Sequence, residues 1–106
     1  MLTTTKRLTK IEQLATLIEL ETLERYKKEG ITYFGHEKHC QTSVKIGNKY
    51  TKIDINTSGK LMIDNEGNIF GIKSYGVINK AHYFGTLDTI NQYYWGDYKP
   101  IKKEVI

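Results

Sequence analysis

Apolar residues recur at helical spacing in one part of this chain only. Ile11, Leu14, Ala15, Ile18 and Tyr26 fall on one face of a 3.6-residue period, with polar and charged residues between them. Thr9-Lys10-Ile11-Glu12 has the form of a capping box, a threonine oxygen for an open N–H and a glutamate reaching back. Glu21–Arg25 and Glu24–Lys28 are acid-first i,i+4 pairs, each worth about 0.3 kcal/mol. Gly30 stands where a helix can end on a left-handed residue, and Ile31 is placed to fold back on Tyr26. The spacing predicts a helix over about 10–29, with residues 1–8 loosely attached before it. Leu17, Leu20 and Leu23 lie off the main stripe and widen its apolar arc. The sheet takes one side of such a helix; the other is open to a further element, to a homodimer through helix 10–29, or to a partner protein. Burial within its own domain is the plainer expectation.

Beyond Gly30 the period falls to two. Ile31–Phe34 is a short candidate strand. Gln41–Ile46 and Lys49–Ile55 alternate about Gly47-Asn48, read as a hairpin loop. Thr42, Val44 and Ile46 then share a face with Thr51, Ile53 and Ile55, while Gln41, Ser43, Lys45, Tyr50, Lys52 and Asp54 form a wet face opposite. Thr57-Ser58-Gly59 marks a turn. Lys60–Ile63 and Asn68–Lys73 form a second hairpin around Asp64-Asn65-Glu66-Gly67, a type I turn closed by glycine. Leu61, Met62, Ile63, Ile69, Phe70 and Ile72 are apolar on both faces, which predicts interior strands covered on both sides. Tyr75–Ile78 is a candidate fifth strand. Thr86 is placed to cap a short helix, Leu87–Trp95, with Asp88 in its first turn and Gly96 beyond its end. The tail 100–106 has little to bury and is expected to be loosely ordered. The order predicts one α+β domain over residues 1–106: a long N-terminal helix on a four- or five-stranded antiparallel sheet, then a short C-terminal helix.

Composition narrows the classes. With 106 residues, 39% apolar and 26% charged, the chain is large enough for a core without disulfides or metal. One cysteine, Cys40, excludes an internal disulfide framework and fits a reducing compartment. No apolar run reaches the ~18 residues of a membrane span. The start is basic, but Glu12, Glu19 and Glu21 interrupt any apolar signal segment, so the expectation is a cytoplasmic protein without membrane contact. The net charge of +4 favours acidic or phosphate-bearing partners. AT-rich coding, which yields Lys, Ile, Asn and Tyr, accounts equally well for the same balance.

The reactive side chains form no defended catalytic set. His36, His39 and Cys40 stand as H-x-x-H-C with His82 remaining, the right donors for zinc. The spacing lacks a second pair, and His39 and Cys40 would diverge on a strand, so no metal and no cofactor are expected. Cys40 has neither a helix N-terminus after it nor an oxyanion turn beside it, and reads as a buried structural cysteine. Thr57-Ser58-Gly59-Lys60 has the wrong order for a phosphate loop. Asp54, Asp64, Glu66 and Asp88 each have a strand, turn or cap to explain them. No enzyme is expected.

Basic and aromatic residues carry the remaining signal. Lys45, Tyr50 and Lys52 fall on the wet face, and Lys73, Tyr75, Lys80, His82 and Tyr83 crowd the segment after it. Single-stranded nucleic acid is held by such rings and cations, although no RNP, KH or helix-turn-helix pattern is present. Tyr93, Tyr94, Trp95 and Tyr98 concentrate the residue types that anchor protein interfaces. The plainer reading is that Tyr94 and Trp95 close the core.

YGVINKAHYFGTLDTINQYYWGDY, preceded by Lys52-Ile53-Asp54-Ile55, Ser58-Gly59-Lys60 and Gly67-Asn68-Ile69-Phe70-Gly71-Ile72-Lys73, resembles small accessory proteins of bacteriophages and mobile elements from low-GC bacteria. The likeness covers about residues 44–98. It implies a stoichiometric inhibitor of host defence, of the anti-CRISPR kind, acting in the host cytoplasm on a protein or ribonucleoprotein. A basic chain departs from the acidic DNA mimics among such inhibitors, so guide RNA, target DNA or an acidic protein face would be its target. The expected function is therefore non-enzymatic binding, with a small nucleic-acid-binding module as the alternative.

Overall fold

The computed structural model describes residues 4–31, 35–56, 58–74, 77–96 and 100–103, with side chains from Leu8 onward. Helix α1 runs Thr4–Lys28, so it starts before the predicted cap and Thr9 lies inside it. Its stripe is as expected: Ile11, Leu14, Ala15 and Ile18 are buried, and Thr22 extends the buried face by donating its hydroxyl to the Ile18 carbonyl at 2.7 Å. At its end Gly30 takes φ +74°, the Gly30 N–H reaches Lys27 O and the Ile31 N–H reaches Tyr26 O at 2.8 Å. Those paired bonds satisfy the last carbonyls, as a glycine stop requires. Arg25, Lys27 and Lys28 sit in the final turn, where cations suit the helix dipole.

The loop after α1 leads into a short helix, α2 (His36–Cys40), which packs on α1. Residues 32–34 of the candidate strand Ile31–Phe34 lie outside the described residues. Five antiparallel strands follow in sequence order, β1 (Thr42–Ile46), β2 (Tyr50–Ile55), β3 (Ser58–Asp64), β4 (Asn68–Ser74) and β5 (Val77–Thr86). The first hairpin pairs Ile46 with Thr51, and Gly47 N–H donates to Tyr50 O. Its loop is therefore Asn48–Lys49, one residue beyond the expected Gly47-Asn48. The shift moves the register by two, an even number, so each residue keeps its predicted side, but burial departs from it at two positions: Ile46 is exposed and Asp54 is buried. The Thr57-Ser58-Gly59 turn also moves back: Ser58 and Gly59 already pair in β3. The Asp64–Gly67 turn forms as expected, with Gly67 at φ +89° and the Asp64 carboxylate accepting from the Glu66 and Asn68 N–H groups.

One face of the sheet receives α1. Ile53, Leu61, Ile63, Ile69, Phe84 and Leu87 meet Ile11, Leu14 and Ile18 in a single core, with Trp95 fully buried among them. Polar contacts fix the helix along its length. Lys10 pairs with Asp88, and Glu19 Oε1 accepts from Thr42 N–H at 2.9 Å. Glu21 Oε1 accepts from Trp95 N–H at 2.7 Å, and Arg25 Nε donates to Gly96 O at 2.6 Å. The predicted Glu21–Arg25 and Glu24–Lys28 pairs do not form among the described residues; Arg25 meets Glu29 at 3.4 Å instead. Glu21 and Arg25 gain more by holding a buried backbone than by meeting in water.

The second helix is a correction. Within the expected Leu87–Trp95 only Ile90–Gln92 is helical, one 3-10 turn, and β6 (Tyr93–Tyr94) pairs with β7 (Ile101–Lys102). Thr89 contributes locally, alongside the burial of Trp95. Its hydroxyl accepts from Thr86 N–H at 2.9 Å and returns a bond to Thr86 O, closing a turn that competes with a helix start. The two-sided cover expected for β3 and β4 is also absent among the described residues. Met62 is buried on the outer face, while Phe70 beside it stays half-buried.

Candidate functional site

The outer face gathers part of the predicted patch into a line. Register pairs Lys45 with Lys52, Lys52 with Met62, Met62 with Phe70, and Phe70 with Tyr83. One row thus crosses all five strands, basic at the β1 edge and aromatic at the β5 edge. Phe70 and Tyr83 hold their rings 5.6 Å apart, and the Tyr83 hydroxyl meets Asn68 Oδ1 at 3.3 Å. Tyr83 is nevertheless 49% exposed. Lys45 and Lys52 stand directly opposite each other, an arrangement that like charges disfavour. The buried Asp54 carboxylate, 3.3 Å from Lys45 Nζ, offsets part of that repulsion. Tyr50 flanks the row, with Lys49 Nζ 5.7 Å above its ring.

Other predicted residues go elsewhere. Lys73 and Lys80 are exposed at irregular points of the β4–β5 ladder, outside the row. Tyr75 and Tyr98 lie outside the described residues. His82 turns to the helix side, its ring 6.4 Å from Phe84. Phe84, Tyr93 and Trp95 continue inward as a chain of ring contacts, and Trp95 Nε1 donates to Ile90 O at 2.9 Å. Of the expected interface cluster, then, Trp95 belongs to the core, Tyr93 is half-buried, and Tyr94 is 55% exposed beside Ile101.

A second site had no signature in the sequence. Beyond Ile18 the helix stops filling the space above the sheet, leaving a cleft of about 500 Å³. Arg25 and Tyr26 of α1, His39 of α2, Lys60 of β3 and His82 of β5 line it. Two of its residues, His39 and His82, belong to the His36, His39, Cys40 and His82 set considered for zinc, and His82 belongs also to the predicted basic-aromatic patch. His39 and His82 do share this cleft, yet among the described residues no three His, Cys, Asp or Glu side chains are grouped to hold a metal ion. Cys40, the last residue of α2, is buried. Burial pushes its thiol up from the ordinary range; Arg25 opposes the rise, and Glu19 and Glu37 add to it.

No helix among the described residues is long and apolar enough to cross a membrane. No protein-family model matches the chain, and no curated protein or solved structure matches it.

Proposed function

We propose that this chain is a non-catalytic binding protein that holds single-stranded nucleic acid on the sheet face opposite α1. The observation that carries the reading is the Lys45–Lys52–Met62–Phe70–Tyr83 row. Two opposed lysines gain by neutralising phosphates, and the exposed Tyr83 ring, backed by half-buried Phe70, offers stacking to a base, worth about 1–3 kcal/mol. The face is rigid because the helix and core support it from behind. A labelled single-stranded oligonucleotide, followed by fluorescence anisotropy across a salt series, tests it. Affinity should fall steeply with salt, and Tyr83→Ala should weaken binding with little change in salt slope. Binding that ignores salt, Lys45→Ala/Lys52→Ala and Tyr83→Ala alike would refute the reading.

The defence-inhibitor role implied by the phage-protein resemblance is a second reading. Tyr94 and Ile101, paired and both exposed on the small β6–β7 sheet, favour it by offering a protein partner an aromatic-aliphatic contact. Co-elution with a host defence nuclease or ribonucleoprotein, lost on Tyr94→Ala, is its expected result.

A further inference from the structure

We propose that the cleft between the C-terminal half of α1 and the sheet binds a phosphate monoester carried on a flat ring, a ligand of mononucleotide size. Its volume of about 500 Å³ lies within the usual range of small-ligand sites. Its charge is one-sided. Arg25, Lys60, His39 and His82 line it, and none of the chain's Asp or Glu side chains is among the described lining residues. Arg25 and Lys60 supply its formal positive charge, and the two imidazoles add ring nitrogens as hydrogen-bonding groups.

Arg25, His39, Lys60 and His82 come from four elements separated in sequence, which makes the cleft a product of the fold. Arg25 is held in place: Nε donates to Gly96 O at 2.6 Å and Nη1 meets Glu29 at 3.4 Å. A guanidinium has five donors, so the anchored group keeps others for an anion. His39 is oriented by Asn56, 3.3 Å from its Nδ1. Lys60 occupies the extra position of a bulge, between the Gly59 and Leu61 pairings with β2. Bulges re-aim side chains in this way beside binding sites. Gly71 keeps the floor low: a Cβ there would stand 2.9 Å from the His82 Cβ and 3.3 Å from the Phe84 ring. The opposite requirement, an apolar surface for a ring, is met by Ile55, Ile72, Phe84 and Pro100.

The same chemistry has two sources, a free mononucleotide and the 5′-phosphorylated end of a strand. Isothermal titration of the full chain with AMP, adenosine, orthophosphate and a short 5′-phosphorylated oligonucleotide tests the proposal. AMP should bind saturably, with adenosine and orthophosphate each at least about ten-fold weaker, because each lacks one half of the contact. Lys60→Gln, on a partly exposed side chain, should weaken AMP about ten-fold at an unchanged unfolding midpoint. Lys45→Ala/Lys52→Ala should leave AMP binding intact, which separates this site from the outer face. Displacement of AMP by the phosphorylated oligonucleotide assigns the strand end as the source, and lack of displacement assigns the free nucleotide; both support the site. No saturable AMP binding, AMP no tighter than orthophosphate, or affinity unmoved by Lys60→Gln would overturn it.

Discussion

Gly96 touches α1 so closely that a Cβ on it would overlap the Glu21 carbonyl and stand 2.8 Å from the Glu21 Cβ. Both neighbours are fixed, since Glu21 and Arg25 clasp the Trp95–Gly96 backbone. Gly96→Ala should therefore destabilise the fold by about 2–3 kcal/mol, an overpacking cost read as a lower urea midpoint. Cys40 offers a chemical readout at the same scale. Its folded thiol is pushed up by burial, so the proton is held more tightly in the native state than in the unfolded one. The sign follows: this contribution is complete below the ordinary thiol range and is lost as pH rises through the raised folded value. Native protein should react slowly with a thiol reagent at neutral pH and rapidly in denaturant. The fall in urea midpoint on raising pH into the alkaline range should be smaller in Cys40→Ser.

At the scale of elements, α1 was legible because its signals are local. The Ile11–Leu14–Ala15–Ile18 stripe and the Gly30 stop need only nearby residues, and both stand in the structure. Its start was misplaced because Thr9 can serve as a cap or as an ordinary helical residue, and backbone hydrogen bonding carried the helix back to Thr4. The second helix failed for a different reason. Leu87–Trp95 has a cap and an acidic first turn, yet Thr89 closes the Thr86 turn and Trp95 is pulled into the core. Thr89→Ala should cost about 1–2 kcal/mol by stripping the bonds at Thr86, without any gain in helical circular dichroism. A rise in helix content would show that Thr89 alone suppresses the helix.

For the molecule as a whole, the two candidate sites lie on opposite sides of one sheet. The outer row follows from strand alternation plus register, and alternation already put Lys45 and Lys52 on one face. Removing both charges should weaken oligonucleotide binding at least ten-fold at moderate salt. It should also reduce the salt slope by about 1.4, from roughly 0.7 per phosphate contact. An unchanged slope would mean that these lysines meet no phosphate. Tyr94 and Lys103 form a separate surface at the end of α1, the ammonium 4.9 Å from the ring.

Periodicity, glycine stops and turn chemistry act between neighbours along the chain, and they determined the helix, the strand faces, the Asp64–Gly67 turn and the α+β order. Contacts between distant residues decided the rest. Trp95 entered the core because its ring contacts and the Glu21 bond are tertiary. His82 left the predicted outer patch once β5 ran through it, because strand neighbours face opposite sides and Tyr83 pairs with Phe70 on the outer one. The cleft needed α1, α2 and four strands in place before Arg25, His39, Lys60 and His82 lined one space. Charge in a linear sequence has a sign but no position in space; the fold supplies the position.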